Sequence, residues 1–156
     1  MRQPLQALYF KRHQYGNTVG DNLWDAFAKE ITMRSILTNY IYPNTLAVLR
    51  VTGADLKAAL ERTAEHLELD ESGEIVFSPR FIEPKPEYYN YDMYEGVEYA
   101  IDLQKEIGQR IVRLNFKGHQ VKDDDILEIV VNQYRAVGGG NYPMFCCFKI
   151  KMFGLK

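Results

Sequence analysis

Asn132-Gln133-Tyr134-Arg135-Ala136-Val137-Gly138-Gly139-Gly140-Asn141-Tyr142-Pro143 is the stretch of this sequence best equipped for chemistry. An apolar run at 126–131 leads into it, setting an aromatic, Tyr134, and a cation, Arg135, beside three consecutive glycines. Glycine serves where the backbone takes φ > 0, or where another group approaches with no Cβ in the way. An aromatic next to such a loop is a platform for a flat ligand such as a nucleobase. The plainer reading is a strand, a glycine turn and core tyrosines, and pattern alone leaves both open. A second aromatic concentration is Tyr88, Tyr89, Tyr91 and Tyr94, drawn from 11 tyrosines. Tyrosine has an apolar body and a polar tip, so such a cluster suits a contact surface better than a dry core.

The missing motifs constrain the chemistry further. The three histidines, His13, His66 and His119, are isolated in the sequence. None falls in an Asp-x-His, Gly-Asn-His or His-x-His spacing. A dinuclear hydrolase needs several such ligands around two ions ~3.5–4 Å apart, and no recognisable motif here supplies them. His66, at the end of an amphipathic helix, reads as a partly exposed surface residue. No Gly-Lys-Ser/Thr follows the glycines, which excludes a phosphate-cradling P-loop, and there is no Gly-x-Ser-x-Gly nucleophile elbow. Cys146 and Cys147 are adjacent and have no distant cysteine to pair with, so they define no disulfide framework.

The elements that must position these residues follow from the local pattern. Residues 22–30 carry Leu23, Trp24, Phe27 and Ala28 at helical spacing. Thr32 caps a second short helix that ends near Tyr42, because the residue before Pro43 is pushed out of the α region. Residues 45–51 read as a strand. Thr52-Gly53-Ala54-Asp55 is a capping box, opening a helix with Leu56, Leu60, Ala64 and Leu67 on one face and Lys57, Glu61 and Glu65 turned away. Residues 70–91 are polar and proline-bearing, an extended connection with a hairpin near Ser72-Gly73. Strands are predicted from Val97 to Leu103, from Arg110 to Phe116 with a turn at Lys117-Gly118, and over 126–131. Helices and a strand followed by antiparallel-looking strands make an α+β domain, a mixed sheet with flanking helices.

Composition bounds what such a domain can do. With 156 residues, 46% hydrophobic and 26% charged, the chain is one ordinary globular domain. A formal net charge of −2 argues against a general nucleic-acid binder, which needs a basic face. Asp123-Asp124-Asp125 reads as a solvated turn. Residues 1–14 lack the continuous apolar core of a signal peptide, and no stretch approaches the ~20 apolar residues of a membrane span.

Three blocks, taken together, resemble a known family. They are Ile31-Thr32-Met33-Arg34 through Tyr42-Pro43-Asn44-Thr45 to Val51-Thr52-Gly53-Ala54-Asp55-Leu56; Tyr89-Asn90-Tyr91-Asp92-Met93 with Gly96-Val97-Glu98-Tyr99-Ala100-Ile101-Asp102; and the 132–143 run. In this order they resemble the C-terminal domain of the 5′-nucleotidase family, closest to bacterial 2′,3′-cyclic-nucleotide 2′-phosphodiesterase/3′-nucleotidase enzymes. The resemblance implies a domain at 27–145, with an atypical lead-in at 1–26 and an atypical tail at 146–156. It implies a nucleotide or nucleoside ligand whose base is held between Tyr91 and Tyr134, with Arg135, Gly138, Gly139, Gly140 and Asn141 around it and Tyr89 as the competing ring. Arg135 either contacts substrate or braces the loop against a carboxylate.

Where many members of the family have an acidic residue after the paired glycines, this chain has Gly140 and then Asn141. The resemblance also implies that a partner metallophosphoesterase domain of the full-length protein holds two divalent metal ions, so that this chain carries no catalytic residue and is inactive alone. It further implies a periplasmic, cell-wall or extracellular setting. The alternative is a stand-alone non-catalytic module that binds a nucleoside or a protein partner. A metallophosphoesterase segment in frame upstream would separate the two.

Overall fold

The computed structural model describes residues 32–34, 45–87, 90–146 and, as backbone, 151–152. The predicted helix over 22–30 lies outside them, as does most of the one after Thr32, of which Met33 and Arg34 are helical and exposed. In chain order the remaining elements are β1 (Leu46–Thr52), α1 (Gly53–Ala64), β2 (Leu67–Leu69), β3 (Ile75–Phe77) and a 3-10 turn (Pro79–Phe81). They continue with β4 (Glu98–Ile101), β5 (Ile111–Phe116), β6 (His119–Gln120), β7 (Ile126–Asn132), α2 (Gln133–Ala136), a second 3-10 turn (Pro143–Phe145) and β8 (Lys151–Met152).

β1 alternates as its sequence predicts. Ala47, Leu49 and Val51 face inward with no exposure, while Leu46 and Arg50 face out. It pairs antiparallel with β7 in a register that sets Leu46 opposite Asn132 and Thr52 opposite Ile126. That register buries Leu127, Ile129 and Val131 of β7 on the same side. The α+β class holds, and the strands are spread over three small sheets, β7-β1-β8, β2-β3 and β4-β5-β6, whose pairings are all antiparallel among the described residues.

α1 starts at the predicted capping box. The Thr52 hydroxyl accepts from Asp55 N at 3.1 Å, and an Asp55 carboxylate oxygen accepts from Thr52 N at 2.9 Å. Leu56, Ala59, Leu60 and Ala64 seat the helix on the β1–β7 sheet and join Ile111, Leu114, Tyr142 and Phe145 in one core. Two expectations fail at its C-terminal half. The helix ends at Ala64, so Leu67 opens β2 instead of extending the apolar face. Glu61 is buried rather than solvated: its carboxylate accepts from Ile111 N at 2.7 Å and from Arg110 N at 3.0 Å, pinning β5 to the helix.

The predicted hairpin near Ser72-Gly73 is the β2–β3 turn. There Asp70 Oδ1 accepts from Ser72 N, the Ser72 hydroxyl and Glu74 N, and the hydroxyl in particular holds the carboxyl below its ordinary pKa. Asp123 and Asp125 do more than solvate a turn, because their carbonyls accept from Ala54 N at 3.1 Å and Gly53 N at 2.8 Å at the start of α1. Among the described residues no helix is long and apolar enough to cross a membrane.

Candidate functional site

β7 ends where Asn132 caps the single turn of α2, its side chain accepting from Arg135 N at 2.7 Å. That turn sends neighbouring side chains opposite ways: Tyr134 is 46% exposed and Arg135 only 4%. The chain then reverses through Gly138 at φ 83°, Gly140 at φ 71° and Asn141 at φ 64°. Gly138 N donates to Arg135 O and Gly139 N to Tyr134 O, both at 2.9 Å, closing the loop onto α2.

Two glycines are required here by proximity. A Cβ on Gly139 would fall 2.6 Å from Cε2 of Tyr134, so the ring lies directly against the loop backbone. A Cβ on Gly140 would overlap Arg135 Nη1 and Asn90 Oδ1. The loop is therefore where the 90–92 segment and the 134–142 segment meet.

Asp92 and Arg135 join those segments. Arg135 Nε lies 2.7 Å from Asp92 Oδ2, and Nη2 donates to Oδ1 at 2.9 Å, a bidentate pair with both side chains buried. Nη1 donates to Gly139 O, and the guanidinium carbon sits 3.9 Å from the centroid of the Tyr142 ring. Of the two roles open to Arg135, bracing the loop is the one these surroundings fit, since all three guanidinium nitrogens are directed at protein groups. Tyr142, an ordinary tyrosine by pattern, is fully buried; its hydroxyl donates to Asn90 O at 3.0 Å and lies 3.0 Å from the Thr63 hydroxyl. Burial, and then the Asp92 charge, push its pKa well up, so the phenol stays a donor. Arg62 Nε holds the carbonyl of exposed Asn141 at 3.2 Å.

Tyr91 sits one residue before Asp92 and is half-buried. Its ring meets His66 edge-on (5.9 Å between centroids, 87°) and Phe77 at a tilt (5.7 Å, 57°). Burial, with Tyr99 nearby, raises its pKa. The expectation of a surface His66 is overturned. The imidazole has no exposure, stacks on Phe81 at 3.9 Å, and is kept neutral by burial and by the Arg62 charge, which lower its pKa to about 4. The contact-surface reading also fails for Tyr94, which is 7% exposed and belongs to the core, while Tyr88 and Tyr89 lie outside the described residues. Cys146 is exposed.

Asp92, Asn90, Tyr142 and Thr63 were given no role from sequence, and His66 was read only as a surface residue. For Asp92 a signal existed, since an acid follows one candidate ring and a base follows the other. Among the described residues no three His, Cys, Asp or Glu side chains converge as metal ligands.

The sequence pattern of the family described as 5′-nucleotidase, C-terminal domain, matches residues 14–146. This chain belongs to that family. The resemblance carried by the three sequence blocks is thus confirmed, and the fold agrees. A solved structure of a Staphylococcus aureus protein, a candidate 5′-nucleotidase in complex with α-ketoglutarate, superposes with a TM-score of 0.72 at 44% identity, over 77% of this chain and 23% of that one. The 2′,3′-cyclic-nucleotide 2′-phosphodiesterase/3′-nucleotidase of Yersinia enterocolitica is 30% identical over 70% of this chain and 19% of its own length. This 5′-nucleotidase C-terminal domain chain spans a fifth or less of the length of the curated phosphoesterases it matches. A separate similarity is short: 23 residues, 15% of this chain, are 91% identical to part of Aminopeptidase N of Lactococcus lactis, 3% of that protein.

Proposed function

We propose that this domain recognises the nucleotide substrate of a phosphoester hydrolase of nucleotide catabolism. Tyr91 and Tyr134 clamp the base, and cleavage belongs to a metallophosphoesterase domain, with its two divalent ions, outside this chain. The observation that carries the reading is the Asp92–Arg135 pair, which ties together the two segments bearing the rings. A ring held by its neighbour's buried ion pair is preorganised, and a base stacked on it gains ~1–3 kcal/mol with little selectivity among bases. Gly138, Gly139 and Gly140 let the loop come close to the ligand. Exposed Asn141 supplies the polar contact to the base that a carboxylate provides elsewhere in the family. Holding the base also fixes where the phosphate lies, so binding energy becomes proximity at a separate reaction centre.

Titrating the purified chain with AMP while following tyrosine fluorescence tests this. Saturable binding is expected, weakened ~5- to 150-fold by Tyr134→Ala or Tyr91→Ala. No phosphate release is expected with or without divalent metal. Unchanged affinity in the double variant removes the clamp, and metal-dependent phosphate release by the chain alone removes the division of labour.

A further inference from the structure

His66 belongs to none of the roles above, yet it sits at the centre of the aromatic cluster around Tyr91. Its imidazole stacks on Phe81 (3.9 Å, 24°) and stands edge-on to both Tyr91 (5.9 Å, 87°) and Phe77 (6.2 Å, 73°). The ring is itself fixed. Nδ1 lies 3.2 Å from the Thr63 carbonyl, a bond that requires the proton on Nδ1, and the backbone closes around it through Ser78 N to His66 O at 2.8 Å. Thr63 reaches the same segment by a second route. Its hydroxyl contacts the Tyr142 phenol, which donates to the carbonyl of Asn90, the residue before Tyr91.

Thr63, in the last turn of α1, therefore reaches the Tyr91 segment by two routes, through His66 to the ring and through Tyr142 to the adjoining backbone. We propose that His66 is a positioning residue for nucleotide binding, its imidazole setting the angle of the Tyr91 ring on which the base stacks. An edge-on aromatic contact is directional: hydrogens at one ring's edge meet the π-face of the other, and the preference is lost if the imidazole is replaced by a group without a ring. A neutral ring suits the role, because Arg62 and Arg135 are the charges that act on His66 and both are cationic. The inference rests on the clamp reading, since it gives His66 no contact with ligand.

The test is AMP affinity in His66→Phe, which keeps a ring, and His66→Gln, which keeps polarity and similar length without one. Each is measured alone and combined with Tyr91→Ala, with thermal midpoints recorded alongside. His66→Phe is expected to bind AMP within about twofold of wild type and His66→Gln about fivefold more weakly, a fraction of the whole stacking contribution. In the Tyr91→Ala background the two His66 variants are expected to bind equally, because the effect passes through Tyr91. Equal affinities for Phe and Gln with Tyr91 present overturn the proposal. So does a Gln defect of the same size after Tyr91 is removed, which marks a purely structural role. If Tyr91→Ala alone leaves affinity unchanged, it is the clamp reading that fails. Should His66→Gln not fold, His66→Phe decides: a Tyr91 ring environment by NMR and an AMP affinity both near wild type support the proposal, and a lost affinity in the folded protein overturns it.

Discussion

Asp92 and Arg135 stand 43 positions apart and form a buried bidentate ion pair, each immediately following one of the two candidate base-binding rings, Tyr91 and Tyr134. The pair converts a contact between loops into a fixed geometry, because rotation of either group disturbs both the Nη2–Oδ1 hydrogen bond and the Nε–Oδ2 ion contact. A buried pair costs much desolvation and adds little net stability, whereas removing one partner leaves an uncompensated charge.

Asp92→Ala is accordingly expected to destabilise the domain by ~3–5 kcal/mol in urea unfolding. The double replacement Asp92→Leu, Arg135→Met is expected to regain most of that loss without regaining AMP affinity. A single-variant cost below about 1 kcal/mol, the level of an exposed pair, contradicts the bracing role.

Gly140→Ala meets two obstacles, a left-handed backbone at φ 71° and overlap with Arg135 Nη1 and Asn90 Oδ1. A loss of ~2–4 kcal/mol is expected. Gly73→Ala is the control. It shares the strained backbone at φ 83° but has no atom within 4 Å of the added methyl, so ~1–2 kcal/mol is expected. Equal losses at the two positions mean that close approach is not why Gly140 is glycine.

The elements that declare themselves locally were legible from sequence. β1 and β7 show period-two alternation into one core, and α1 shows its capping box in four consecutive residues. The positive-φ glycines and the β2–β3 turn were legible for the same reason. What sequence did not disclose depends on distant partners. Glu61 looks solvated until β5 brings the backbone N–H groups of Arg110 and Ile111 to its carboxylate. His66 looks like a frayed helix end until the proline-bearing connection returns Phe77 and Phe81 over it. Arg135 had two readings because its partner, Asp92, lies in another block.

Stability should depend on His66 protonation. Burial first, and then the Arg62 charge, lower its pKa from 6.5 to about 4, so in that interval the unfolded chain binds a proton that the folded chain refuses. Stability therefore falls as pH drops from about 6.5 to about 4, by ~3 kcal/mol from this group. Urea unfolding of wild type and His66→Phe at pH 7 and about pH 4 isolates the effect, since all other groups are common to both. The difference should shift by that amount in favour of the variant at low pH; a constant difference contradicts the buried neutral imidazole.

Thr52→Ala removes the α1 cap far from the loop and should cost ~1 kcal/mol in unfolding free energy. AMP affinity should not change, because the cap touches neither ring-bearing segment. A parallel fall in affinity would mean that binding tracks global stability rather than the clamp.

Intermolecular NMR contacts in the AMP-saturated chain test the central claim most directly. With ring protons of Tyr91 and Tyr134 assigned through Phe variants, cross-peaks are expected from the adenine H2 and H8 protons to both rings. Adenine contacts confined to other residues, or to one tyrosine alone, contradict a base held between the two.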